Sequence, residues 1–241
     1  MAINIQKKIC IIVPAYNEEG FLAEVVGDIR KYCPEAQIVV VNDASSDSTK
    51  LVAWSQRVPV LDLPTNLGIG GAMQTGFLYA VRNGFDVAMQ VDADGQHDPR
   101  FIPVLLEALG ERGADMVIGS RFLERVGYRA SFMRLFGIRF FAWLIGMMTN
   151  RRVYDATSGY RAYNKEALNF VAKYYPSDFP EPESIVIMLR NGFKIKEVPV
   201  VMKHRQAGTS SVRPLKGTYF VVSNAVAIII SAFKRRLRSS L

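Results

Sequence analysis

Short apolar runs, each ending in a polar loop, recur along the first half of the chain. Lys8–Val13, Gln37–Val41, Val58–Leu63, Val87–Val91 and Met116–Ile118 have the length and composition of buried strands. Between the first two, Phe21, Leu22, Val25, Val26 and Ile29 keep helical spacing up to the stop at Tyr32-Cys33-Pro34. The first strand is expected to end before Pro14, since proline gives no N–H to a ladder. A helix is expected from about Pro99 to Leu109, with Asp98 as its cap. Strands alternating with helices predict an α/β fold with a mostly parallel sheet, helices on both faces and right-handed crossovers.

That architecture collects the loops at the strands' carboxyl ends on one edge, where open α/β sheets bind ligands. Tyr16, Glu18, Asp43, Asn66, Asp92, Asp94 and Arg121 would all lie there. Gly68, Gly70 and Gly71 permit a close backbone approach to a ligand before the next helix. Their spacing is not a dinucleotide fingerprint, and no Walker sequence occurs. The most informative stretch is Asp92-Ala93-Asp94-Gly95-Gln96-His97-Asp98-Pro99. Two carboxylates at a strand tip, separated by one small residue, can present oxygens to one hard cation such as Mg²⁺ or Mn²⁺, which in turn grips a diphosphate. Alone, the triplet also reads as an acidic turn leading into a helix cap.

Composition narrows the partners. The chain has 241 residues, 49% of them hydrophobic, which suits one large domain with an appendage and excludes a disordered or collagen-like chain. Cys10 and Cys33 have neither metal nor redox spacing, so a reducing compartment is expected, and Met1–Lys8 lacks a signal-peptide core. A net charge of +8 favours an anionic partner: phosphorylated substrate, lipid head groups or nucleic acid.

Four stretches in order carry a resemblance: Ile11–Glu18, Val41–Asp47, Asn66-Leu67-Gly68 and Asp92–His97 resemble the successive signatures of family 2 glycosyltransferases. Asp155–Tyr163 and Arg205–Ser211 are similar to the polyprenyl-phosphate branch of that family, which includes the dolichyl-phosphate mannose synthases. The resemblance spans about residues 8 to 213 and implies a GT-A-like fold. The implied reaction is inverting sugar transfer from a UDP- or GDP-linked donor to a polyprenyl (undecaprenyl or dolichyl) phosphate at the cytoplasmic membrane face. It assigns Pro14, Tyr16, Glu18 and Asp43 to the nucleotide, together with Asn66, Gly68 and Asp92 on the same edge, and gives Asp92, Asp94 and Gln96 to Mg²⁺ or Mn²⁺. Phe179-Pro180-Glu181-Pro182-Glu183 departs from the branch's aromatic-Gln-x-Glu segment, with Glu183 keeping the acidic position.

The chemistry adds further candidates. A departing diphosphate gathers charge, which a cation and fixed arginines stabilise in the transition state; Arg205 is the candidate second cation beside Asp94. A phosphate acceptor is already largely ionised near neutral pH, so the task is to hold two phosphorylated substrates together. Arg121, Arg134 and Arg161, with Ser158 beside them, are the candidates for the acceptor phosphate. Asp155 then orients an arginine or the acceptor, although Asp155 or Glu183 as a true base stays open, as does a hydroxyl acceptor on a glycan or protein. A non-catalytic nucleotide-sugar or membrane-binding subunit is the reading outside enzymes. His97 and His204 flank the centre without an assigned role.

Residues 121–152 hold seven arginines against one acid, Glu124, among many aromatics. Such a mixture also describes a nucleic-acid surface, but Phe140–Asn150 carries no charge over 11 residues, which suits a helix in a membrane interface and argues against nucleic acid. Thr218–Phe233 is uncharged over 16 residues and is followed by Lys234-Arg235-Arg236-Leu237-Arg238. At 1.5 Å per residue it reaches about 24 Å, short of a bilayer core of roughly 30 Å, so a shallow helix with a basic tail on anionic lipid is expected. The organisation expected is a catalytic domain over 1–213 and an apolar helix with a basic tail over 214–241. The alternative is a terminal helix docked on the domain or on a partner subunit such as a second copy of the chain, and the family resemblance also implies a small integral-membrane partner.

Overall fold

A computed structural model describes residues 7–111, 113–123, 132–178, 180–203 and 225–233, with backbone alone at 111 and 132–136. Its elements are β1 (Ile9–Ala15), α1 (Leu22–Tyr32), β2 (Gln37–Asn42), α2 (Thr49–Ser55), β3 (Val60–Asp62), α3 (Gly68–Arg82) and β4 (Val87–Gln90). There follow a 3₁₀ turn (Pro99–Phe101) opening α4 (Ile102–Glu111), then β5 (Met116–Ser120), α5 (Phe132–Thr149), β6 (Arg161–Asn164), α6 (Lys165–Tyr174), α7 (Pro180–Arg190) and β7 (Ile195–Pro199). Residues 225–233 form one more helix, α8.

The strands make one sheet in the order β3-β2-β1-β4-β6-β5-β7, parallel except for β6. The parallel α/β expectation holds. The antiparallel β6 was not legible, because four residues beginning with an arginine give no strand periodicity. It lies between β4 and β5 and brings Arg161 opposite Gln90.

Alternate residues of the buried strands feed two cores, as a sheet covered on both faces requires. Cys10, Ile12, Val39, Val41 and Tyr163 pack with α3, α5, α6, α7 and α8; Ile11, Val13, Val40, Met89 and Ala162 pack with α1 and α4. Ile228 and Ala232 of α8 belong to the first core, so α8 docks on the helices that cover that face of the sheet.

Two expectations are corrected. β1 runs through Pro14 to Ala15. Ile12 accepts from Val91 on the β4 side and Ala15 accepts from Asp43 on the β2 side, so Pro14, two residues beyond Ile12, faces the β4 side after that ladder has ended. Its missing N–H costs no bond. At Gly70, as at Gly76 further along α3, the missing side chain serves packing, whereas Gly68, at φ +73°, has nothing within 4 Å of where a Cβ would lie. A Cβ on Gly70 would lie 2.1 Å from the Ser177 carbonyl oxygen and one on Gly76 would lie 2.4 Å from Ile12 Cγ2. They let α3 sit hard against β1 and against the loop that leads into α7.

Candidate active site

The order β3-β2-β1-β4 reverses direction between β1 and β4, and the candidate residues cluster at the carboxyl ends flanking that switch point. On the β1–β2 side, three loops are tied together. Asn17 adopts φ 55°, its N–H donates to Ser45 Oγ, and its side-chain oxygen accepts from Ser46 N. Glu18 N donates to Thr49 Oγ1, and Glu19 Oε2 accepts from Ser48 N. Asp43, 4% exposed, accepts from Leu67 N at 2.7 Å, and its own carbonyl takes the Asn66 amide at 3.2 Å. Asn66 also accepts from Gly68 N. Pro14, Tyr16, Glu18, Asp43, Asn66 and Gly68 therefore share one rim, on which Tyr16 is half exposed.

On the β4 side, Asp92 and Asp94 sit just past the strand with both side chains partly open to solvent. The Gln90 amide donates to Asp92 Oδ1 at 2.8 Å, and Gln96 N donates to Asp94 Oδ1 at 3.0 Å. Gly95, at φ +73°, makes the turn between them that a larger side chain would strain. Gly159 supports the tip from below: a Cβ there would lie 2.7 Å from Gln90 Nε2 and 3.4 Å from Asp92 Oδ2. Asp98 caps the following turn as expected, accepting from Arg100 N.

His97 proves to be an internal support. Its Nδ1 accepts from Asp92 N at 3.0 Å, which leaves the proton on Nε2, 3.5 Å from Asp92 Oδ2. The ring is 4% exposed and stacks on Tyr160 at 4.6 Å, and Tyr160 Oη donates to the Asp98 carbonyl. His97 also pairs with Met202, and Lys203 N donates to the Gln96 carbonyl, so the stretch preceding Arg205 in the chain is pinned beside the acidic tip. Arg205 and His204 lie outside the described residues, as does the side chain of Arg134.

The remaining candidates occupy the floor. Asp155 is fully buried and grips Arg121, accepting from its Nε at 2.7 Å and from its backbone N–H at 3.0 Å on Oδ2, and from Nη2 at 2.7 Å on Oδ1. Ser158 donates to the Gly119 carbonyl and is 1% exposed. Arg161 is wholly buried, its guanidinium donating to the Ser158, Ala156 and Glu181 carbonyls and to Ser184 Oγ. Ser158 and Arg161 therefore hold loops in place, with Arg161 turned away from any solvent-borne phosphate. Glu197 on β7 accepts the Tyr154 and Asp155 N–H groups at 2.8 Å each, and burial pushes its carboxyl above the ordinary range.

Glu181 was not singled out for a role in the sequence. It opens α7 in a half-buried position where burial is the largest influence raising its pKa, Arg161 opposes the shift, and the Asp92 carboxylate reinforces it. Glu183, the acid the sequence favoured, instead accepts from Ser231 of α8 at 2.6 Å. Two acids two residues apart in one helical turn meet different surroundings: Glu183 is taken up by α8, while the Glu181 carboxyl feels the Asp92 charge.

Among the described residues no three His, Cys, Asp or Glu side chains converge as a metal cage. The two carboxylates at the β4 tip would offer hard oxygen ligands to a cation that supplies charge to a diphosphate. That donor set fits Mg²⁺ or Mn²⁺ and does not fit a soft, cysteine-seeking metal.

The model for "Glycosyl transferase family 2" matches residues 10–171. Polyprenol monophosphomannose synthase of Mycolicibacterium smegmatis is 32% identical over 214 residues, covering 83% of this chain and 79% of its own. Undecaprenyl-phosphate mannosyltransferase of Micrococcus luteus is 33% identical over 221 residues, covering 84% and 86%. A solved structure of glucosyl-3-phosphoglycerate synthase from Mycobacterium tuberculosis, in complex with Mn²⁺, UDP and phosphoglyceric acid, superposes with a TM-score of 0.71 at 21% identity. It covers 94% of this chain and 78% of that one, and it shows the shared GT-A fold. With its signatures ranged along one sheet edge and its family model spanning most of the sheet, this chain belongs to glycosyl transferase family 2.

Proposed function

We propose that the protein is a divalent-metal-dependent, inverting glycosyltransferase that moves a sugar from a UDP- or GDP-linked donor to a polyprenyl phosphate at the cytoplasmic membrane face. The observation that carries the donor half is the pair Asp92 and Asp94 at the β1/β4 switch point, propped by Gln90, His97 and Gly159. The acceptor half is supported by relatives named for polyprenol and undecaprenyl phosphate.

In this reading Tyr16, Glu18 and the Asn66–Gly68 turn line the nucleoside, and the Asp43 oxygen not used by Leu67 accepts the ring N–H of uracil or guanine. Pro14 sets the exit of β1 toward that rim. Asp92 and Asp94, with Gln96 beside them, would hold Mg²⁺ or Mn²⁺, whose charge stabilises the leaving diphosphate. Arg205, following the pinned Met202-Lys203 stretch, brings a second cation to that diphosphate. Asp155 acts as a positioning residue that fixes Arg121 at the β5 tip, and Arg121 and Arg134 are the groups that orient the acceptor phosphate. An ionised phosphate oxygen attacks the anomeric carbon from the face opposite the diphosphate, so no general base is required.

Membrane contact is supported by apolar side chains left uncovered. α5 exposes Trp143 and Met147, and α8 exposes Val226, Ile229, Ile230 and Phe233, the last at 79%. Exposed arginines 139, 151 and 152, and the basic run after Phe233, suit anionic head groups. No helix among the described residues is long and apolar enough to cross a membrane, so a shallow, peripheral seat is favoured. A small integral-membrane partner or a second copy of the chain would compete for the same surface.

One observation favours a second reading, transfer to a hydroxyl of a glycan or protein. Glu181, with its raised pKa beside Asp92, has the properties of a general base, which Asp155 and Glu183, each bonded elsewhere, do not. Incubation of membranes carrying the protein with radiolabelled sugar nucleotides separates the readings. A product extractable into organic solvent and released by mild acid supports polyprenyl phosphate; an acid-stable glycan overturns it in favour of the hydroxyl.

A further inference from the structure

The first turn of α7 is clamped from two sides. From below, Arg161 donates to the Glu181 carbonyl at 2.9 Å and to Ser184 Oγ at 2.8 Å, and that hydroxyl donates to the same carbonyl at 3.1 Å. From outside, Ser231 of α8, 4% exposed, donates to Glu183 Oε1 at 2.6 Å. Ile228 and Ala232, one turn back and one residue on, lie in the core that α5 and α7 share. The inner clamp leads straight to the acidic tip, because Arg161 stands opposite Gln90 in the β4–β6 ladder and Gln90 donates to Asp92. A hydroxyl–carboxylate bond this short and sheltered is charge-assisted, which places it among the stronger side-chain bonds.

We propose that Ser231 and Glu183 are a positioning pair, through which the docked helix α8 holds the first turn of α7 on the Arg161 clamp, and so keeps in register the β6–β4 contact by which Gln90 props Asp92. Glu183 thus acts through that turn rather than on substrate. The pair crosses 48 residues of sequence and joins a helix, whose opposite face is apolar and exposed, to the helix whose first turn Arg161 holds. Seating α8 and completing the site become one event.

The inference rests on the transferase reading, and the test keeps the two apart. The full-length protein is assayed with a water-soluble short-chain prenyl phosphate, so that membrane binding does not enter the rate. Active parent protein is the control: no transfer by the parent with any UDP- or GDP-sugar sinks the functional reading, whereas the comparisons below judge the positioning pair. Ser231→Ala is expected to lower kcat about tenfold, the effect of losing roughly 1.4 kcal/mol of a charge-assisted bond, with donor KM and far-ultraviolet circular dichroism unchanged. Ser231→Thr, which keeps the hydroxyl, is expected to restore kcat to within about twofold of the parent. Glu183→Ala should match Ser231→Ala, and the double variant should be no worse than either alone. A Ser231→Ala variant as active as the parent, additive losses in the double variant, or failure of Ser231→Thr to rescue would each overturn the proposal.

Discussion

Replacing Asp155 by Asn probes the floor of the site where stability and catalysis make opposite forecasts. Asp155 and Arg121 have side-chain exposures of 0% and 5%, and their closest approach is 2.7 Å. Water cannot screen either charge, so the pair is far from a surface bridge. Asn keeps the shape and one acceptor but removes the negative charge that offsets the buried Arg121 guanidinium at 2.7 Å. Breaking one partner of a buried pair costs about 3–5 kcal/mol, and the conserved shape puts Asp155→Asn near the lower end. For a chain of this length, each kcal/mol moves the melting temperature by about 2–4 °C, so a fall of about 6–12 °C is expected by differential scanning calorimetry. Adding Arg121→Leu to Asp155→Asn should recover part of that loss, since the buried charge is gone. A variant that melts within about 2 °C of the parent while losing all transfer would refute the argument and return Asp155 to the role of a base.

Gly159→Ala places a methyl 2.7 Å from Gln90 Nε2, beneath the Asp92 side chain, and is expected to cut turnover at least tenfold, by about 1.4 kcal/mol, with a raised requirement for Mn²⁺; an unchanged metal titration would deny the prop its role. Ile230→Ser with Phe233→Ser should abolish sedimentation with phosphatidylglycerol vesicles and leave transfer to a water-soluble acceptor intact, because both side chains are exposed; persistent sedimentation would remove α8 from the membrane seat. Glu197 has a raised folded pKa, caused first by burial, so the folded state holds that proton more tightly than the unfolded one. Its contribution is present below the ordinary glutamate value of 4.5 and is lost as pH rises from there through the folded value. Glu197→Gln should therefore flatten the fall in melting temperature above that pH, and an identical slope in both proteins would contradict the assignment.

The sheet, its parallel sense and the ligand edge were legible because buried strands advertise themselves as unbroken apolar runs that end in polar loops. The acidic tip was legible because two aspartates follow such a run directly. Three things were hidden. β6 is short and begins with a charge, so the interleaving that brings Arg161 under Glu181 left no periodic trace. The duties of Asp155, Ser158 and Arg161 depend on burial, and a motif gives no sign of which way a side chain faces. Glu181 and Glu183 differ by two positions in one proline-flanked turn, and only the docking of α8, which takes up the Glu183 carboxylate, tells their surroundings apart. The expected helix over Thr218–Phe233 is seen at 225–233, and the residues before it, with Arg205, lie outside those described.

The central claim is that Asp92 and Asp94 lend the β4 tip to a cation that grips a nucleotide diphosphate. Isothermal titration of UDP and GDP into the parent and into Asp94→Ala, with Mn²⁺ and again with chelator, tests it directly. The account predicts that one nucleotide binds the parent with Mn²⁺ at least tenfold more tightly than with chelator, and that Asp94→Ala loses this difference while melting at the parent's temperature. Equal affinity with and without metal, or an undiminished metal effect in Asp94→Ala, would contradict it.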